Sequence, residues 1–249
     1  MASNKSMIPK SKTRQYLDQI SLIAEGELPY SALDDVERQT VNLTYLDQKQ
    51  VLGAIASVRQ NSKETDQQFQ AALKASGRNS IILMNYSTSL NTLGRVLEAA
   101  KLAHEAVQID PLDTAILHGA AQVFLDAYDL EKLADVCLKL DKLQVNLNLD
   151  GTKFDVIEKV KDLMGNYDVD SRAIGQRIEF ATEHIRRAGL RISSVTEFVD
   201  DELIQYTFNL DGSPDKIAET EASLGDALAT LPYSPADSVM VFLCSKAEA

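Results

Sequence analysis

The sequence predicts an α+β protein, mainly α, in which antiparallel helical repeats precede a small C-terminal β-β-α-β unit. Three observations carry this. Small and apolar residues recur every 34 positions between residues 46 and 147. Residues 203–210 alternate apolar and polar, the period of a strand with one buried face. Ser213-Pro214 then opens a helical pattern that Pro232 and Pro235 close, and an apolar run, Val239–Cys244, follows.

The chain has 249 residues, 45% hydrophobic and 25% charged, which suits a soluble globular protein able to bury a core. Its formal net charge of −12 repels phosphate backbones, so nucleic acid is not the expected principal partner. The same charge favours a basic protein partner. One stretch runs against it: Arg172, Arg177, Arg186, Arg187 and Arg191 stand against Glu179 and Glu183. Two readings stay open here, a basic patch for an acidic partner or nucleic acid, and a solvated helix face paired with neighbouring carboxylates.

Residues 1–12, with Lys5, Lys10 and Lys12, are expected to form a disordered basic tail. From Thr13 the spacing of Tyr16, Leu17, Ile20, Ile23 and Ala24 predicts a helix, interrupted at Gly26 and Pro29. A second helix should begin near Ser31, a potential cap before the acidic pair Asp34-Asp35. In the periodic region Leu52, Tyr86 and Ala120 align, as do Gly53, Ser87 and Ala121, and Ala56, Leu90 and Phe124. In the second half of each unit Phe69, Ala103 and Cys137 correspond, as do Ala72, Ala106 and Leu140. Small residues recur because two antiparallel helices approach closely only where side chains are short. Gly94 marks the turn of the middle unit and Asp110-Pro111 closes it.

Small-residue spacing, the turn glycine and the closing Asp-Pro together resemble the tetratricopeptide repeat (TPR), in units 46–79, 80–113 and 114–147. The first unit carries Gly77 in place of the closing proline, and the third carries Leu133 and Leu140 where small residues are usual. The resemblance implies a protein-binding module in which the first helix of each unit lines a concave groove. On that basis the groove residues are Gln50 and Ala54, then Met84, Asn85, Thr88 and Asn91, then His118, Gln122 and Leu125. Side-chain amides would hold an extended peptide, with specificity from Met84 and Leu125. Asn85 matches one asparagine of the TPRs that capture a C-terminal carboxylate. Asp47, Gln50, Ala115 and Gly119 stand where those proteins are basic, so that kind of ligand is not expected.

Residues 144–153 read as a linker or turn. A helical extension over 148–190 follows, with Phe154, Ile157, Val160 and Leu163 on one helix and Ile174, Ile178, Ala181 and Ile185 on the next, ended by Gly189. The unit 191–249 comprises strands at Ile192–Val199 and Leu203–Leu210, a helix burying Ile217, Leu224, Ala227, Leu228 and Leu231, and a last strand, Val239–Cys244, covered on both faces. A right-handed crossover lays that last strand parallel to the second. A three-stranded sheet has exposed edges, to be covered by the helical part, a partner protein or a second subunit in a homodimer.

No catalytic constellation is legible. His104, His118 and His184 lack ligand spacing, Gly53 and Gly94 are lone glycines, and no nucleophile elbow occurs. Cys137 and Cys244 sit in apolar stretches and read as small buried hydrophobes. Neither a metal, a cofactor nor a catalytic residue is expected. The N-terminal segment has no apolar core of signal-peptide length, and the uncharged run Asn79–Gly94 is too polar to span a bilayer. The expectation is a cytoplasmic, non-enzymatic adaptor or chaperone-like protein (antitoxin, immunity or secretion-chaperone type) that binds a partner polypeptide. The alternative is a nucleic-acid-associated regulator using the basic helix 172–191.

Overall fold

A computed structural model describes residues 11–145 and 151–247, with the side chains of 151–156 left aside. The tail expected at residues 1–12 therefore lies almost wholly outside the described residues, as do the centre of the 144–153 linker and the side chain of Phe154.

The chain is mainly helical, with a small sheet after the helices. Helices α1 (Lys12–Ala24) and α2 (Ala32–Gln39) lead into three antiparallel pairs: α3 (Tyr45–Val58) with α4 (Ser62–Ser76), α5 (Ser80–Thr92) with α6 (Val96–Ile109), and α7 (Thr114–Asp126) with α8 (Leu130–Lys142). Polar side chains fix where these helices begin. Thr44, Asn79 and Asp113 each accept from first-turn amides of α3, α5 and α7, and Asn61 and Asp129 do so for α4 and α8. Each such cap is worth about 1 kcal/mol. Ser31 and Arg95 make no cap bond at the starts of α2 and α6; the Ser31 backbone is itself helical (φ −61°, ψ −20°).

Within the pairs, the short residues do what close approach demands. A Cβ on Gly53 would lie 2.6 Å from the Phe69 ring, and that ring stacks on Tyr86 of the next pair at 4.9 Å. Ser87, fully buried, donates to the Ala99 carbonyl at 2.7 Å. The turns inside the pairs share one conformation. Gln60, Gly94 and Tyr128, spaced 34 residues apart, each take a left-handed φ (58°, 64° and 55°). The period thus extends to the backbone, and only the middle unit uses the residue for which that φ costs least.

Helices α9 (Gly151–Asn166) and α10 (Ser171–Arg187) follow, then strands β1 (Arg191–Val199) and β2 (Ile204–Asp211), helix α11 (Pro214–Ala229) and strand β3 (Met240–Lys246). Gly189, at φ +72°, turns the chain out of α10 into β1. Strand order is β1-β2-β3; β1 pairs antiparallel with β2, through a bulge at Ile192/Ser194, and β2 pairs parallel with β3. Ile204, Tyr206, Phe208 and Leu210 form the buried face of β2. Ser213 caps α11 as its spacing predicts, which buries Ile217 and Leu224 and leaves Ala227, Leu228 and Leu231 half-buried.

Strand β3 departs from expectation. It lies at a sheet edge, Val241 is exposed and residues 242–245 are only half-buried, so it is not covered on both faces. Its apolar run reflects one buried face plus an uncovered outer one. The two cysteines are likewise half-buried rather than buried.

One apolar core runs without a break from Phe69 through the repeats, α9 and α10 to Phe208, Leu224 and Met240. Residues on both sides of positions 147 and 190 contribute to this core. A smaller cluster joins Ile20, Ile23, Leu33 and Val36 of α1 and α2 to Val51, Ala54 and Ile55 of α3. Among the described residues, no helix is long and apolar enough to cross a membrane.

Candidate functional site

Helix α5 packs between α3 and α7, which brings the expected groove residues onto adjacent helices. Several of them bond to one another. Asn85 of α5 donates to Gln50 of α3 at 2.8 Å. Asn91 of α5 donates to one carboxylate oxygen of Asp126 at 2.6 Å, and Gln122 of α7 donates to the other at 2.7 Å. Such bonds to a charged acceptor are the stronger kind; the Asn91–Asp126 bond ties α5 to α7, and the Asn85–Gln50 bond ties it to α3. Asp126 was not among the residues read from the sequence. Its signal is the i, i+4 spacing to Gln122, which puts both on one helical face.

The other residues separate into two groups. Met84 is 7% exposed and lies over Gly119, where a Cβ would meet its thioether chain at 3.2–3.4 Å. It fills the α5–α7 contact and does not line an open groove, because Gly119 opposite leaves space that a long flexible side chain fills. Ala54 is covered by α1 and α2, so the chain's own first helices occupy that part of the face. Thr88 is exposed, with its hydroxyl donating to the Met84 carbonyl at 3.1 Å. His118 and Leu125 are half-buried. The accessible stretch is therefore Thr88, Asn91, His118, Gln122 and Leu125. Beside it, the Gln50–Asn85 pair joins the lining of a cleft of about 370 Å³ between the starts of α1, α3 and α5, which also includes Arg14, Leu17 and Ile81.

The five arginines do not form one surface. Arg177 is 7% exposed and bonds both oxygens of Asp237, at 2.6 and 2.8 Å, and the Pro232 carbonyl at 2.8 Å. Arg186 donates to the Leu93 carbonyl and, at 3.1 Å, to Gln60. Burial pushes its pKa below the usual guanidinium value. Arg187 pairs with Glu183 at 2.9 Å. Arg191 pairs with Asp211 and stands 4.4 Å over the Tyr30 ring. Arg172 is exposed at the start of α10. The sequence shows the spacing of these residues but not that α10 packs two of its faces, against the repeat turns and against the sheet unit.

Tyr128, just after α7, and Tyr206 of β2 are buried, and burial drives both phenol pKa values well up. The Glu197 and Asp126 carboxylates push the same way on both rings. Among the described residues there is no group of three or more His, Cys, Asp or Glu side chains disposed to hold a metal ion. No protein-family model, curated protein or solved structure matches the chain.

Proposed function

We propose that this chain is a non-enzymatic adaptor or chaperone-like protein that holds a partner polypeptide along the first helices of its TPR-like repeats. The observation that carries the reading is the Asn91–Asp126–Gln122 network. It sets amide and carboxylate groups at fixed spacing across two adjacent helices, beside the exposed Thr88 and the half-buried His118 and Leu125. Amides of this kind suit the backbone of an extended segment, and the carboxylate with a net charge of −12 suits a basic one. A cytoplasmic setting belongs to the same proposal, since two unpaired thiols suit a reducing compartment.

The test is affinity purification from the native host, comparing the wild-type chain with a Thr88→Lys/Leu125→Lys double variant and identifying co-purifying proteins by mass spectrometry. A stoichiometric partner on the wild type, lost from the variant, is the expected result. Recovery of the chain alone, or equal recovery of the partner on both, would remove the reading.

A further inference from the structure

The two edges of the sheet are treated differently. On β3 the backbone amide of Cys244 donates to Glu221 of α11 at 3.0 Å, so a carboxylate guards that edge. Strand β1 pairs with β2 on one side only, and Ser194, Val195, Thr196, Glu197 and Phe198 are exposed in succession. Val195 is 40% and Phe198 57% exposed. An open edge carrying apolar side chains is a template for one more strand. The bulge at Ile192/Ser194 disturbs only the start of β1; from Ser194 to Val199 its register with β2 is regular.

The chemistry along this edge is one-sided. Opposite their β2 partners, Val195 and Glu197 share the side of Phe208 and Tyr206, while Thr196 and Phe198 share the side of Thr207 and Gln205. Glu197 and Asp126 bear on the same two buried phenols. Asp200, Asp201 and Glu202 follow at the turn, and residues 192–202 contain no lysine or arginine. Lys159 of α9 acts on Asp200, at the turn end of the strand.

We propose that the β1 edge takes an extended segment of a partner protein as a fourth strand, with a lysine or arginine beside Glu197 and an apolar residue beside Phe198. This rests on the protein-binding reading above and adds the surface and the chemistry of the partner. Cross-strand neighbours lie within about 5 Å, close enough for that pairing. A second copy suits the edge less well, because it would set one acidic strand, without lysine or arginine over 192–202, against another in chains that each carry −12.

The probe is a fluorescein-labelled, capped peptide, Thr-Val-Lys-Val-Lys-Val-Thr, against its counterpart with Glu for Lys, read by anisotropy with the full chain. The Lys peptide should bind about tenfold or more tightly than the Glu peptide, and should slow hydrogen exchange of amides within 194–198. Glu197 also acts on the buried Tyr128 and Tyr206 phenols, so two variants are read, each checked for wild-type circular dichroism. Glu197→Gln should remove the preference and Glu197→Lys should reverse it, while Glu221→Ala on the other edge should leave it unchanged. No binding of the Lys peptide at about 1 mM, an unreversed preference in Glu197→Lys, or protection outside β1 would each overturn the proposal. So would a concentration-dependent dimer that protects β1 without peptide. If the native partner stays on Glu197→Lys but leaves Thr88→Lys/Leu125→Lys, the edge proposal fails and the reading of the repeat face stands.

Discussion

Glu179 of α10 accepts a hydrogen bond at 3.0 Å from the backbone amide of Leu97, the second residue of α6, 82 positions earlier. Arg95, at the N-cap of α6, provides no side-chain cap of its own. A carboxylate at a helix start satisfies an amide that would otherwise lack a partner and meets the positive end of the helix dipole. Arg186 makes the matching contact one turn earlier, on the Leu93 carbonyl. Helix α10 therefore supplies from a distance what the middle repeat lacks locally.

Glu179→Gln should fold with stability equal to or above wild type at neutral pH, because an amide oxygen still accepts from Leu97. Glu179→Ala should lose about 1 kcal/mol, the usual worth of a cap. Burial holds the Glu179 carboxyl above the ordinary glutamate range. The folded state therefore keeps a proton that the unfolded chain has released. This group's contribution is greatest below the ordinary glutamate pKa and is lost as pH rises through the folded value. Urea melts from acid to neutral pH should show that decline in wild type relative to Glu179→Gln; parallel curves would refute it.

Gly94→Ala should be among the costliest single methyl additions. Its φ is +64°, and the new Cβ would lie 2.6 Å from the Thr182 hydroxyl. Gly26→Ala is the control, with φ +82° and nothing within 4 Å of its Cβ. Backbone strain alone accounts for about 1 kcal/mol at either position, and the clash at Gly94 adds to it. Thr182→Gly in the Gly94→Ala background should recover part of the loss, measured as a double-mutant cycle.

Asp237→Asn should destabilise more in neutral than in acidic solution. The Arg177 guanidinium holds the Asp237 carboxyl below the usual aspartate range. The ion pair thus contributes fully above the ordinary aspartate pKa, and its contribution is lost as pH falls through the folded value. Asp237→Ala should cost more than Arg177→Met, on the order of 1–3 kcal/mol, because it strands a buried cation. Equal losses from the two variants would argue against an ion pair that matters to the fold.

Asp126→Asn should cost about 1 kcal/mol, since one amide oxygen replaces two carboxylate oxygens that accept from Asn91 and Gln122. Thermal denaturation of Asp126→Asn, Asn91→Ala and the double variant gives the coupling. Strict additivity would mean that the network does not set helix spacing.

Much of the architecture is legible in the residues. The 34-residue period marks three helix pairs because small residues at Gly53, Ser87 and Ala121 answer a packing need that recurs along the array. Alternation at 204–210 and Ser213-Pro214 mark β2 and α11 because strand pleat and helix start each impose a local pattern. The candidate site is less legible. The resemblance to TPRs makes Met84 a specificity residue, and only the bare Gly119 opposite shows that it is packing. Arg177 and Arg186 look like surface charge because their partners, Asp237 and the Leu93 carbonyl, are distant in sequence. Local pattern reports which face a residue occupies, whereas long-range contact decides what covers that face.

The clamp that α10 places on the repeat turns also orders events in time. Arg186 reaches the Leu93 carbonyl from 93 residues downstream, and translation adds about 5–20 residues per second. The three helix pairs are consequently synthesised seconds before the helix that braces them exists. Their local contacts can form quickly, but the turn edge stays open to whatever else is nearby until α10 arrives. A released chain ending between residues 145 and 170 should expose that edge to proteolysis near Gly94, and the full chain should not.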